Sequence, residues 1–171
     1  GSDGSDQIDG YGGDDILIGG DESPGVYGDS INGGEGDDAM WGNGRDDYIY
    51  GDRGNDRLYG GDGNDRLDGW TGDDVLEGGD GDDQLTDAYG VDELRGGAGR
   101  DSLQAGSGAG SILDGGDGDD VLSAREGATF IGGPGNDRIH VSKADSPITS
   151  GAVSGGDGDD VLNAGSEGAG L

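Results

Sequence analysis

The chain has 171 residues, of which 45 are Gly and 39 are Asp or Glu against nine Lys and Arg, giving a formal charge of −30. Only 28% of the residues are hydrophobic, so a compact state would repel itself around a small core; the composition leaves either a disordered chain or a fold completed by something strongly positive. The basic residues are scattered, which argues against a nucleic-acid surface; no apolar run is long enough to span a membrane as a helix; and zero Cys excludes disulfides and thiolate metal sites.

Position 1 is Gly and no signal peptide opens the chain, so a fragment or a processed product is expected. Read onward from there, the sequence repeats one phrase. GGEGDDAMW fills 33–41, and GDRGNDRLYGGDGNDRLDG at 51–69 says nearly the same nine letters twice. GGDGDDQLT follows at 78–86, GGAGRDSLQ at 96–104, GGDGDDVLS at 115–123, GGPGNDRIH at 132–140 and GGDGDDVLN at 155–163. The period is nine and the pattern is Gly-Gly-x-Gly-x-Asp-x-U-x, with U a large aliphatic residue.

This nonapeptide resembles the RTX family of hemolysin-type calcium-binding repeats, over about 17 copies from residue 1 to 163. The resemblance implies an all-β fold, a parallel β-roll or β-solenoid, in which two repeats make one 18-residue coil. The whole chain, 1–171, is expected to form a single roll domain, with 164–171 as a tail or partial repeat. Within a repeat, the first six positions should form a tight turn that glycine permits. The last three should form a short strand whose U residue points inward. The inward column then reads Ile8, Leu17, Ile31, Met40, Ile49, Leu58, Leu67, Leu76, Leu85, Leu94, Leu103, Ile112, Leu122, Ile139, Val153 and Leu162, with Phe130 or Ile131 filling the degenerate fourteenth place.

Successive turns of such a roll fall on opposite edges, which sorts the sixth-position residues into two ladders. One edge takes Asp6, Asp29, Asp47, Asp65, Asp83, Asp101, Asp120, Asp137 and Asp160. The central spacings are 18; two intervals of 23 imply five-residue insertions near 22–26 and 143–147 that bulge from the roll, and intervals of 19 and 17 around Asp120 cancel. The other edge takes Asp15, Asp38, Asp56, Asp74 and Asp92, then fails at Gly110, Thr129 and a residue near Ser150 or Gly151.

Carboxylates together with exposed turn carbonyls are hard oxygen donors that suit Ca²⁺ better than Mg²⁺, and Zn²⁺ would want more than the single His140. In the family each ion sits between one turn and the next on the same edge, clamped by sixth-position Asp side chains. By that analogy nine turns bracket eight sites and five bracket four, so about twelve Ca²⁺ carrying about +24 would offset most of the −30. Acidic third and fifth positions such as Asp62, Asp80, Asp82, Asp117, Asp119, Asp157 and Asp159 are expected to deepen the field rather than to be direct ligands.

A thin core and a large charge together predict a chain that is largely disordered without calcium and folds cooperatively with it. Outward positions place Trp41 beside Tyr59, with Tyr48 and Tyr50 on the opposite face, and Arg57, Arg66, Arg95 and Arg138 among the acids. Cross-strand packing accounts for the rings, and a glycan platform is the alternative. No nucleophile–base pair stands out, so no enzymatic activity is expected. The leading expectation is a non-catalytic calcium-binding module and folding switch of a secreted bacterial protein, extracellular and exported by type I secretion as the resemblance implies. A subunit that associates end to end with itself in a filament or matrix is the alternative, since the roll ends carry no evident caps and flanking domains or further copies could cover them. A glycan-binding module is third.

Overall fold

The computed structural model describes residues 4–20, 28–125, 127–142 and 151–164. Both expected insertions, near 22–26 and 143–147, and nearly all of the 164–171 tail lie outside the described residues. The described residues form seventeen strands and no helix. In chain order these are β1 (Gln7–Gly12), β2 (Ile16–Gly20), β3 (Ser30–Glu35), β4 (Ala39–Gly44), β5 (Tyr48–Arg53), β6 (Arg57–Asp62), β7 (Arg66–Thr71), β8 (Val75–Asp80) and β9 (Gln84–Tyr89). They continue as β10 (Glu93–Ala98), β11 (Ser102–Ser107), β12 (Ile112–Asp117), β13 (Val121–Arg125), β14 (Thr129–Pro134), β15 (Arg138–Ser142), β16 (Val153–Asp157) and β17 (Val161–Ala164).

The odd-numbered strands stack into a nine-stranded sheet and the even-numbered strands into an eight-stranded one, every pair parallel. The chain therefore alternates between two sheets, one repeat per strand, and returns to the same sheet every second repeat. This is a β-roll. Across the first insertion Ile8 still pairs with Ile31, and across the second Ile139 still pairs with Leu162, so the register survives both.

Most strands are six residues long, twice the three expected from the sequence. Each runs through positions seven to nine and on into the first three positions of the following repeat. In β6, Leu58 and Gly60 face inward while Arg57 and Tyr59 face out, the alternation of an extended chain. The extra length arises because the ladder with the neighbouring coil continues through the glycines: Gly61 pairs with Gly79 and Asp62 with Asp80. Each turn is left with only a few residues.

The core is one residue wide. Ile31, Met40, Ile49, Leu58, Leu67, Leu76, Leu85 and Leu94 are wholly buried, one per repeat. The column thins at its ends, where Ile8 and Leu17 are partly buried and Leu162 is 55% exposed. Phe130 fills the degenerate fourteenth place, and Ile131 points outward. One member of the expected column is displaced: Leu113 is buried and Ile112 is exposed. The cause is the turn between β11 and β12, which carries one residue more than the regular turns, so Leu94 pairs with Leu113, 19 positions on. The compensating deletion lies in the next turn on the same side, between β13 and β14, so that Leu113 pairs with Phe130, 17 positions on.

Candidate metal sites

Each sixth-position residue closes a turn and is followed at once by a strand, so the backbone ladder fixes its height in the roll. The Arg66 N–H, for example, donates to the Asp47 carbonyl at 2.8 Å. The side chains repeat this connection in the other direction. On the first edge Asp6 N–H donates to Asp29 Oδ1 at 2.7 Å, Asp47 to Asp65 at 2.8 Å, Asp65 to Asp83 at 2.7 Å, Asp83 to Asp101 at 2.8 Å and Asp101 to Asp120 at 2.8 Å. Asp29 N–H reaches Asp47 Oδ1 in the same way, and the ladder closes with Asp120 to Asp137 at 2.9 Å and Asp137 to Asp160 at 3.1 Å. The structure thus brings all nine residues of this edge into one line.

The second edge runs Asp15, Asp38, Asp56, Asp74, Asp92 by the same bonds, at 2.8, 2.8, 2.7 and 3.4 Å. It then ends: Asp92 N–H donates to Ser111 Oγ at 3.1 Å. Ser111, and not Gly110, occupies the next sixth position, and Ala128, and not Thr129, the one after, because Thr129 N–H bonds the Ser111 carbonyl and pairs with Ile112. The two positions are displaced in opposite directions: the extra residue before Ser111 moves the first one later, and the compensating deletion between Leu122 and Phe130 moves the second one earlier. Gly151 lies opposite Ala128, agreeing with one of the two residues left open at the last place.

With Oδ1 engaged, the other oxygen of each carboxylate decides what the turn can do. Oδ2 of Asp29, Asp38, Asp56, Asp65, Asp83, Asp101, Asp120 and Asp137 is buried without a hydrogen-bond partner. A buried carboxylate oxygen with no partner is costly. Each points beside the first glycine of its own repeat. A Cβ on Gly60 would lie 2.2 Å from Asp65 Oδ2 and 2.6 Å from the Gly78 carbonyl oxygen of the next coil. The same pair of oxygens recurs at Gly78, Gly96 and Gly115 on this edge and at Gly33 and Gly51 on the other. The glycine keeps clear a place where a carboxylate oxygen and a carbonyl oxygen converge. Several hard oxygens from two successive coils, with no nitrogen or sulfur among them, fit a calcium-sized cation.

The electrostatics agree. Burial pushes the carboxyls of Asp56 and Asp65 up to about 7, and neighbouring aspartates add to the effect while the bond from the preceding N–H opposes it. Asp83, Asp101 and Asp120 are raised to about 6 for the same reasons. The turns hold ionised carboxylates poorly on their own and would hold them well around a cation.

Two features escaped the sequence reading. The fifth positions form an outer ladder that runs the opposite way: Asn64 N–H donates to Asp46 Oδ1, Asp82 N–H to Asn64 Oδ1, and Arg100 N–H to Asp82 Oδ1, at 2.7–2.8 Å. Asp119 caps Asn136 likewise, which lowers its carboxyl. These acids tie turn to turn, a more specific task than deepening the field. The signal was present in the restriction of most fifth positions to Asp or Asn. The second feature is Asp87, which stands at a first position where glycine is usual and is buried among the aspartates of the second edge.

The aromatic expectation holds: Trp41 and Tyr59 stack with centroids 5.3 Å apart and planes 8° from parallel, each covering a face of the other. His140 is exposed on β15. No helix among the described residues is long and apolar enough to cross a membrane.

The family model for the RTX calcium-binding nonapeptide repeat, which spans four copies, matches residues 1–23, 25–49, 41–76, 50–85, 87–109, 111–131, 129–142 and 153–167. A search of curated proteins finds no match.

Proposed function

The chain belongs to the family of RTX calcium-binding nonapeptide repeats, and from that premise we propose that it is a calcium-dependent folding module of a secreted bacterial protein. Calcium binding comes with the family, and a roll of this kind is a structural calcium-binding module rather than a catalytic fold. The repeats are characteristic of secreted bacterial proteins, which supports an extracellular setting where calcium is plentiful. The proposed ligands are the fourteen ladder aspartates: Asp6, Asp29, Asp47, Asp65, Asp83, Asp101, Asp120, Asp137 and Asp160 on one edge, and Asp15, Asp38, Asp56, Asp74 and Asp92 on the other. Turn carbonyls complete each site, for about eight ions on the first edge and four on the second.

The observation that carries this reading is the recurring pair of a buried, unpartnered Oδ2 and a carbonyl oxygen beside a glycine. Bound calcium supplies the positive charge that lets these carboxylates stay ionised in the interior. The chain's residues do the rest: Oδ1 and the backbone hold each turn at the spacing of one coil, and the leucine column sets that spacing. Because the sites exist only in the stacked state, binding free energy becomes folding free energy. Far-UV circular dichroism during a calcium titration tests the proposal. A cooperative rise in β signal is expected; full β signal in excess chelator would overturn it.

The exposure of Leu162 and of Val153, 55% and 40% against zero in mid-column, favours a second reading in which this end of the roll stacks on another copy. Electron microscopy in calcium separates the two, since only the second gives long filaments.

A further inference from the structure

The second ladder does not simply stop at Asp92. In the same repeat as Asp92, Asp87 replaces the glycine that begins most repeats, and its side chain turns inward. The residue is 4% exposed. Its Oδ1 is held by the Tyr89 N–H at 3.2 Å, which aims Oδ2 at the space beside Gly69, where a Cβ would lie 2.2 Å from Asp87 Oδ2 and 2.7 Å from Asp74 Oδ2. In the ordinary turns that space is shared by one carboxylate oxygen and one carbonyl oxygen of the next coil. Here Asp74, Asp87 and Asp92 each bring a carboxylate oxygen within 4.8 Å of the other two. Oδ2 of both Asp74 and Asp87 is buried with no partner beyond the other carboxyl of the pair, and Asp74 and Asp92 are 1% and 3% exposed.

We propose that Asp87 is a direct third carboxylate ligand at the last cation site of the second edge, and that this site holds its Ca²⁺ more tightly than the sites flanked by two ladder aspartates. The inference rests on the calcium reading above and deepens it at one site. Three converging carboxylates repel one another unless a cation or a shared proton lies among them, and affinity for a hard divalent ion rises with the charge of its ligand set. The position also makes sense in the ladder. Beyond Asp92 the next sixth position is Ser111, so the edge has no further aspartate to share, and Asp87 concentrates charge on the final ion instead. Gly69 is required opposite, since any side chain there would fill the space between Asp74 and Asp87.

The test compares the full chain with Asp87→Asn, which keeps the shape, and Asp87→Gly, which restores the residue of the ordinary repeats. Total calcium per chain is counted by equilibrium dialysis, and the tightest site is titrated against a competing chelator, with circular dichroism confirming the roll in saturating calcium. Both variants are expected to lose the tightest class of site, by about ten- to a hundredfold in affinity, with the remaining sites unchanged. Binding curves identical to the unaltered chain in both variants would overturn the proposal and make Asp87 a protonated filler of the turn. Should Asp87→Asn not form the roll, Asp87→Gly decides by the same measurement. An unaltered chain that binds no calcium at all would overturn the calcium reading itself, whereas unchanged curves on a calcium-loaded roll overturn only the role of Asp87.

Discussion

Asp65 shows what a single residue does here. Its Oδ1 takes the Asp47 N–H, its own N–H goes to Asp83 Oδ1, and its Oδ2 is left buried beside Gly60. It therefore borders two proposed cation sites, one on each side of its turn. Asp65→Ala is expected to remove up to two calcium ions from the total counted by dialysis, and to lower the urea midpoint in calcium. Ser111 offers the contrast. Its Oγ accepts the Asp92 N–H and donates to the Gly108 carbonyl but brings no carboxylate to the edge, so Ser111→Ala should leave the calcium count unchanged and cost about 1–3 kcal/mol for the unpaired donor. Equal loss of calcium in the two variants would show that the edge assignment is wrong.

Among the elements, β12 is the informative one. Two adjacent aliphatic residues, Ile112 and Leu113, could each have served as the inward residue, and the stretch before them, AGSGAGS (105–111), contains only small residues that fit any turn position. Nine-residue counting chose Ile112. The parallel pairing of β10 with β12 chooses Leu113, because Glu93 and Leu94 must meet Ile112 and Leu113 for the backbone ladder to stay closed. Leu113→Ala is accordingly expected to cost about 2–5 kcal/mol, and Ile112→Ala less than about 1 kcal/mol as a surface change, read as urea midpoints in saturating calcium. Strands such as β6 were legible because their aliphatic residue stands alone between polar neighbours, as Leu58 does between Arg57 and Tyr59, and in β8, β13 and β17, where a valine precedes the leucine, the unbroken period made the choice. Their length was not, since nothing in a Gly-Gly pair announces that it continues a ladder.

For the whole molecule, the two rows of buried carboxylates make folding answer to pH as well as to calcium. The carboxyls of Asp56 and Asp65 rise to about 7, and those of Asp83, Asp101 and Asp120 to about 6, from an ordinary value of 3.8. Between those values the calcium-free folded chain binds protons that the unfolded chain has released. Stability without calcium is therefore greatest below about pH 4 and falls as the pH climbs through 6 and 7. In excess chelator, acidification from neutral pH is expected to increase the β signal in far-UV circular dichroism, with protons partly replacing calcium. In saturating calcium the signal should stay flat over the same range. A chelated chain that loses β signal on acidification would contradict the raised carboxyls.

The nonapeptide by itself determined the family, the alternation between two edges and the two aspartate ladders, because a strict period of nine forces every sixth position into one of two lines. It also determined that calcium is the matching ion, through the donor types. Only the stacking of coils decided the rest. Whether a residue faces the core depends on its partner in the neighbouring coil, which exchanged Ile112 for Leu113 and put Ser111 at the end of the second ladder. Asp87 looked like one more acid in an acidic chain. Its meaning came from three residues of two coils, Asp74, Asp87 and Asp92, converging beside a glycine, a contact across the stack that no period along the chain records.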